Sequence, residues 1–245
     1  MNLKQVNKWV FKKASSFAAQ ALDWLAPQLC IYCVLPSDGP LPLCAVCRDE
    51  FQENRTACPR CALPNCHSTL CPSCLKTPPL LDKIHAPYIY DPAIAMLVAS
   101  WKYQKDQRLT RLVADLIHTR VVLGGSYDHV FPVPLHWTRL LKRGFNQAED
   151  LARELEPLFP NRRRRTDVRL KRRRATSSQA GSTRQERRAQ LQGAFAVTGS
   201  LEGCTVLLID DVCTTTATAS AAARACLDAG AVRVELLCLA RTPAH

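Results

Sequence analysis

Four CxxC pairs fall between residues 30 and 74, at Cys30/Cys33, Cys44/Cys47, Cys58/Cys61 and Cys71/Cys74. A CxxC turn sets two sulfurs on one side of a tight knuckle. Two such turns therefore supply the four thiolates of a tetrahedral zinc, with bonds of about 2.3 Å. Four knuckles predict two structural zinc ions, since four thiolates leave no position open for substrate or water. This stretch has too few large apolar residues to build a core of its own, so metal binding must supply most of its folding free energy, on the order of 10 kcal/mol. Pairing in sequence order gives C-x2-C-x10-C-x2-C followed by C-x2-C-x9-C-x2-C, but an interleaved pairing also fits the spacing. Cys66 and His67 lie inside the second loop and are alternative ligands. A disulfide framework would require an oxidising compartment, and Lys4, Lys8, Lys12 and Lys13 interrupt any export-type apolar core. Cys204, Cys213, Cys226 and Cys238 are scattered in apolar surroundings and read as core residues.

The 245-residue chain as a whole is ordinary in composition, with 47% hydrophobic and 22% charged residues, which excludes wholly disordered and fibrous classes. No apolar run reaches the roughly 18–20 residues of a membrane helix, and the expected location is cytoplasmic, with peripheral attachment to the inner membrane as an option. The net charge of +12 is concentrated. Residues 139–188 hold 16 of the 33 Lys and Arg but 6 of the 21 acids, a local balance of +10. Within it, residues 161–174 carry nine basic side chains and one acid. Such a run repels itself and reads either as a solvated loop or as a partner for phosphates, with Arg162, Arg163, Arg164 and Arg165 the candidate nucleic-acid contacts.

Residues 3–25 show near-helical apolar spacing and predict an amphipathic helix in segment 1–27, packed on the protein's own body or docked on a partner or anionic surface. The cysteine module follows as 28–78, and Pro78-Pro79 marks the start of a third segment, 79–245. There the pattern alternates: helices at 92–103 and 107–122, a strand in HVFPVPL (129–135), an amphipathic stretch at 146–158, a strand in GAFAV (193–197), then TVLLID (205–210), a helix at 217–229 capped by Gly230, and VRVELLCLA (232–240). Two near-continuous apolar strands joined by a helix mean a βαβ crossover and a buried parallel sheet, so the class is α/β.

In VLLIDDVCTTTAT (206–218) a buried strand runs into two carboxylates and then through hydroxyl-bearing residues into a helix. Ligands of parallel sheets bind at such places. Asp210 and Asp211 suit the hydroxyls of a ribose, while the amides and hydroxyls of Thr214, Thr215, Thr216, Ala217 and Thr218 suit a phosphate at a helix N-terminus. A ribose 5-phosphate is the ligand this chemistry implies.

The same segment resembles the phosphoribosyl pyrophosphate signature of type I phosphoribosyltransferases, with Thr216 standing where that family has glycine. FPVPLHWTRLLKRGFNQAEDLA (131–152) narrows the resemblance to the ComF/GntX-like family of competence-associated phosphoribosyltransferase-like proteins. The residues that carry it are Pro132, Pro134, Leu135, Arg143, Gly144, Phe145, Asn146, Gln147 and Ala148. Trp101-Lys102-Tyr103 and the pair Thr176 and Gln179 match weaker elements, and Gln190 replaces the usual asparagine. The match covers about residues 28–242.

The resemblance implies a type I phosphoribosyltransferase-like parallel sheet flanked by helices and preceded by a double zinc ribbon. It also implies Asp210 and Asp211 on the ribose, Arg139, Lys142 and Arg143 on pyrophosphate, and Mg²⁺ bound with phosphoribosyl pyrophosphate. Two functions follow as expectations. One is a module that binds phosphoribosyl pyrophosphate and handles single-stranded DNA during DNA uptake beside competence-machinery proteins at the inner face of the membrane. The other is a true phosphoribosyltransferase in nucleobase or amide-nitrogen salvage. No base-recognition element is identifiable in the sequence.

Overall fold

The computed structural model describes residues 28–104, 106–135, 140–141, 144–159, 167–173 and 193–244. The helix expected at 3–25, the pyrophosphate candidates Arg139, Lys142 and Arg143, the run Arg162 to Arg165, and Thr176, Gln179 and Gln190 lie outside them. The chain forms two compact units, the first ending at Glu50 and the second running from Phe51 to His245.

In the first unit, Cys30 to Leu35 form a knuckle closed by two backbone bonds, Cys30 N–H to the Leu35 carbonyl at 2.8 Å and Val34 N–H to the Cys30 carbonyl at 3.0 Å. Helix α1 (Ala45–Asp49) begins directly after Cys44 and carries Cys47. The second unit repeats this plan in its opening residues. Cys58 N–H bonds the Leu63 carbonyl at 2.8 Å and Ala62 N–H the Cys58 carbonyl at 2.9 Å, and α2 (Pro72–Lys76) begins after Cys71 and carries Cys74. Each knuckle places the residue after its second cysteine in the left-handed region, Val34 at φ 61° and Ala62 at φ 54°. An L-residue pays about 1–2 kcal/mol there.

The body of the second unit is the expected α/β sheet. Strands β1 (Lys83–His85), β3 (His129–Pro132), β6 (Thr205–Ile209) and β8 (Arg233–Leu237) pair in the order β1-β8-β6-β3, all parallel. Both β6 and β8 are buried on both faces, which explains their near-continuous apolar sequences. One face packs Phe131, Leu208 and Leu236 against Ala222 and Ala223 of α6 (Ala217–Asp228). Helices α3 (Pro92–Tyr103), α4 (Gln107–His118) and α5 (Gln147–Glu154) complete the layer structure. Asp91 caps α3 by accepting from Ile94 N–H at 2.8 Å, and Asn146 caps α5 by accepting from Ala148 N–H at 3.2 Å. Buried Trp101 donates its indole N–H to Thr110 at 3.0 Å and so ties α3 to α4. Gly230, at φ 100°, ends α6 as expected, and a Cβ there would lie 2.5 Å from a Glu202 oxygen.

The sheet does not stop at the end of β6. After a gap of Asp210 and Asp211 the chain resumes as β7 (Val212–Cys213), and β1 and β8 likewise resume as β2 (Tyr88–Ile89) and β9 (Ala240–Arg241). These form a second parallel sheet in the order β2-β9-β7. The antiparallel ribbon β4 (Arg169–Arg172) and β5 (Phe195–Thr198) packs on α6.

The second cysteine set shares the core of the sheet. Cys58, Cys61, Cys71 and Cys74 pack with Leu81 and Ile84 in one apolar cluster. A module that lacks large apolar residues thus borrows the core of its neighbour.

Candidate functional site

The break between β6 and β7 comes from the aspartates themselves. Asp211 N–H donates to the Asp210 carboxylate at 2.8 Å, and Val212 N–H to the Asp211 carboxylate at 2.6 Å. Short acidic side chains here offer the backbone an alternative to the ladder. The chain still keeps contact with β8 and its continuation through Asp210 N–H to the Leu237 carbonyl and Leu239 N–H to the Asp211 carbonyl. Both carboxylates therefore stand half-buried at a step in the sheet rather than at its end.

Beyond β7, Thr214 to Thr216 lead into α6, whose N-cap is Thr216 at φ −73° with no side-chain capping bond. Helices α3, α4 and α5 are all capped by their own side chains. Among the described residues, the first amides of α6 are thus left without a side-chain acceptor and are open to an external one. Because φ is negative at Thr216, glycine's conformational freedom is not needed there; only its smallness would matter.

Two cations act on the acids. Lys102, near the end of α3, places Nζ 2.5 Å from Asp211 Oδ2. Its carbonyl accepts from the Gln147 side chain at 3.2 Å, and Gln147 is buried. The Lys-Tyr and Asn-Gln elements of the sequence thus converge: Asn146 caps α5, Gln147 holds the end of α3, and Lys102 reaches the diacid. Burial pushes the Asp210 carboxyl up to about 7 and the Asp211 charge adds to the rise, while the Asp211 backbone N–H and the charges of Lys102 and Arg172 oppose it. Arg172, at the end of β4, lies over the Phe195 ring with its guanidinium 5.3 Å from the ring centre. The basic run at 161–174 is therefore not all loop, since its last part is a strand of the ribbon.

A cleft of about 1190 Å³ adjoins the loop, lined on one side by Leu63, Ser73 and Thr77 and on the other by Thr214, Thr215 and Thr216. Sequence reasoning did not find it, because its walls lie far apart in the chain. It named Lys102 and Gln147 only as carriers of the resemblance and Arg172 only as part of the basic run, and it gave no role to Arg241. The available signal was a cation directly after an apolar run, as at Lys102 and Arg241.

The cysteine sets pair in sequence order. Cys30, Cys33, Cys44 and Cys47 form one group and Cys58, Cys61, Cys71 and Cys74 the other, with all sulfurs of a group within 4.8 Å of one another. Cys66 lies outside the second group, its thiol directed to the Pro64 carbonyl at 3.5 Å. The Cys33–Cys44 and Cys61–Cys71 sulfurs are 3.7 and 3.6 Å apart. A tetrahedron with metal–sulfur bonds of about 2.3 Å has edges of about 3.8 Å, so both groups fit a four-thiolate metal. Burial raises the Cys30 and Cys58 thiols, but backbone N–H groups more than offset it and bring each to about 6, while burial lifts Cys47 and Cys74 to about 12. Filling either group with a divalent ion therefore releases protons. Cys204, Cys213, Cys226 and Cys238 are buried core residues, as expected. No helix among the described residues is long and apolar enough to cross a membrane.

The fold and the diacid site define a class: residues 94–245 match the phosphoribosyl transferase domain family. Among individual proteins, the chain is 32% identical over 225 residues to the DNA utilization protein YhgH of Escherichia coli O157:H7, covering 88% of this chain and 98% of that protein. It is 28% identical to Competence protein F of Haemophilus influenzae over 81% of this chain and 90% of that protein. The corresponding figures for Competence protein ComFC of Bacillus subtilis are 25%, 92% and 91%. The chain belongs to the ComF-like family, in which a cysteine-rich N-terminal part precedes a phosphoribosyltransferase domain.

Proposed function

We propose that the protein binds phosphoribosyl pyrophosphate or a related ribose 5-phosphate and handles single-stranded DNA during DNA uptake. The observation that carries the first half is the step in the sheet. Two carboxylates stand there beside the uncapped N-terminus of α6, with Lys102 held against one of them. Asp210 and Asp211 would accept from the ribose hydroxyls and the 214–218 loop would donate to the 5′-phosphate. Arg139, Lys142 and Arg143 would take the pyrophosphate by charge-assisted bonds. Mg²⁺ would arrive on the ligand, with Asp210 and Asp211 as neighbouring hard oxygen donors, and would supply neutralisation of the pyrophosphate charge. Lys102 leaves Asp211 for the incoming anion.

The second half rests on the names of the relatives, DNA utilization and competence, and on the local charge of +10 in residues 139–188. Arg162 to Arg165 would grip backbone phosphates with little sequence preference. The two cysteine groups hold zinc in this reading and serve as structural supports. Calorimetry with ribose 5-phosphate tests the site: wild-type protein binds, and Asp211→Asn binds at least ~10-fold more weakly while its thermal unfolding is preserved. Equal affinity in the two moves the ligand elsewhere.

A catalytic reading, transfer of the phosphoribosyl group to a nitrogen acceptor, draws on the Asp210 carboxyl. Its pKa of about 7 suits a group that takes a proton as the new bond forms. Pyrophosphate release from phosphoribosyl pyrophosphate on addition of individual nucleobases distinguishes an enzyme from a binder.

A further inference from the structure

Arg241 is 5% exposed, yet its side-chain bonds go to main-chain carbonyls from separate parts of the second unit. Nε donates to the Cys61 carbonyl at 3.1 Å, while Nη1 donates to the carbonyls of Cys213 at 2.9 Å, Thr214 at 2.7 Å and Thr242 at 3.0 Å. One edge of the guanidinium thus holds the cysteine knuckle, and another holds the first peptides of the phosphate loop. The backbone of Arg241 pairs with Cys213 in the β7–β9 ladder, so the side chain is anchored beside the loop it holds.

The loop end of this clamp has a chemical consequence. In a trans peptide the carbonyl of one residue and the N–H of the next point in opposite directions. Drawing the Cys213 and Thr214 carbonyls onto Arg241 therefore turns the Thr214 and Thr215 N–H groups away from it, in fixed orientation, as donors for an anion. The knuckle end has a different dependence. Cys61 is a member of the second four-sulfur group, and the next residue, Ala62, sits at φ 54°. That backbone is unfavourable for alanine, and four metal–sulfur bonds would restrain it beyond the two backbone bonds that close the knuckle. Arg241 therefore spans a restraint set by metal and a geometry needed for phosphate.

We propose that Arg241 is a positioning residue that makes the orientation of the Thr214 and Thr215 amides depend on metal at Cys58, Cys61, Cys71 and Cys74. The inference rests on the reading of the 214–218 loop as a phosphate site. It adds that the second cysteine group acts on ligand affinity through one buried guanidinium.

The test is site-resolved hydrogen exchange on the full chain, with ribose 5-phosphate titrations alongside. Metal-loaded wild type is compared with Cys71→Ser, and Arg241→Gln and Arg241→Lys are made in both backgrounds. In wild type, loss of the second metal speeds exchange in residues 213–216 about tenfold or more while β8 (Arg233–Leu237) keeps its protection, and ribose 5-phosphate affinity falls in parallel. In Arg241→Gln the same amides already exchange fast, and Cys71→Ser adds nothing. Arg241→Lys behaves likewise, because one ammonium cannot hold both ends of the clamp. Unchanged exchange at 213–216 when Cys71→Ser is introduced overturns the inference, as does an Arg241→Gln protein that still responds to it. Equal loss of protection in β8 also overturns it, since that is general unfolding. Should Arg241→Gln itself lose β8 protection, the comparison of wild type with Cys71→Ser decides. If metal-loaded wild type binds no ribose 5-phosphate, the ligand reading fails while the exchange data still decide the clamp.

Discussion

Replacing Asp210 with asparagine should remove most of the protein's response to pH near neutrality. The carboxyl titrates near 7 in the folded chain, against 3.8 unfolded, because burial and the neighbouring Asp211 disfavour its charge. A raised pKa means the folded state binds more protons, so the stability this group contributes is full below pH 4 and is lost as pH rises through 7. Ligand binding has the opposite sign, since ribose hydroxyls need the carboxylate. With a pKa of about 7, roughly 10% of Asp210 is ionised at pH 6 and roughly 90% at pH 8, which makes affinity about tenfold higher at pH 8, or about 1.4 kcal/mol. For a chain of this size that corresponds to about 3–6 °C of extra ligand-induced shift in Tm. The second ionisation of the ligand phosphate, near pH 6, adds a smaller trend of the same sign. Thermal unfolding of wild type and Asp210→Asn at pH 6, 7 and 8, with and without saturating ribose 5-phosphate, separates these effects. The ligand-free variant should gain on wild type as pH rises, and its ligand shift should retain the phosphate trend alone. Parallel Tm profiles for the two ligand-free proteins would refute the argument.

Three further outcomes follow from other parts of the chain. Val34→Gly removes a β-branched residue from φ 61° and should make the first cysteine group retain metal about 1 kcal/mol more strongly, read by competition with a coloured chelator. Glu235, buried in β8, would be raised by burial, but bonds from His85, Tyr127 and Arg233 hold it at about 2; the stability it gives is present above pH 4.5 and is lost as pH falls toward 2. Glu235→Gln should therefore lower stability at pH 7 by on the order of 3 kcal/mol in urea unfolding and flatten the acid limb. Changing Arg162 to Arg165 to serine should weaken single-stranded DNA binding across all sequences and flatten the fall of log affinity with log salt by roughly 0.7 for each phosphate no longer neutralised.

The long elements were legible because each carries its own pattern: Asp91-Pro92 starts α3 at its expected residue, and the apolar runs at 205–209 and 233–237 are the two central strands. Strands β2, β7 and β9 span two residues each, too few for any period, and exist because they pair with one another in the second sheet. The diacid was legible as chemistry but not as a break, since nothing in VLLIDDVC says that the chain resumes its ladder after Asp211. The sulfur groups were legible in number, while their pairing required the two knuckles to be folded. The Glu235 cluster was hidden inside an apolar run, because its partners His85 and Tyr127 come from β1 and the segment before β3. Arg241 was missed for the same reason, as all its partners but one are distant in sequence.

The two sulfur groups share a backbone plan but not an exposure to solvent. Cys33 is exposed and Cys47 half-exposed in the first, whereas all four sulfurs of the second are buried. Attack by an oxidant or a competing ligand begins at a sulfur that solvent can reach. Under peroxide, Cys33 should form a sulfenic acid first and close onto Cys44, whose sulfur is 3.7 Å away, before any sulfur of the second group reacts. Metal would then leave the chain in two kinetic phases, with the fast phase confined to the unit that ends at Glu50.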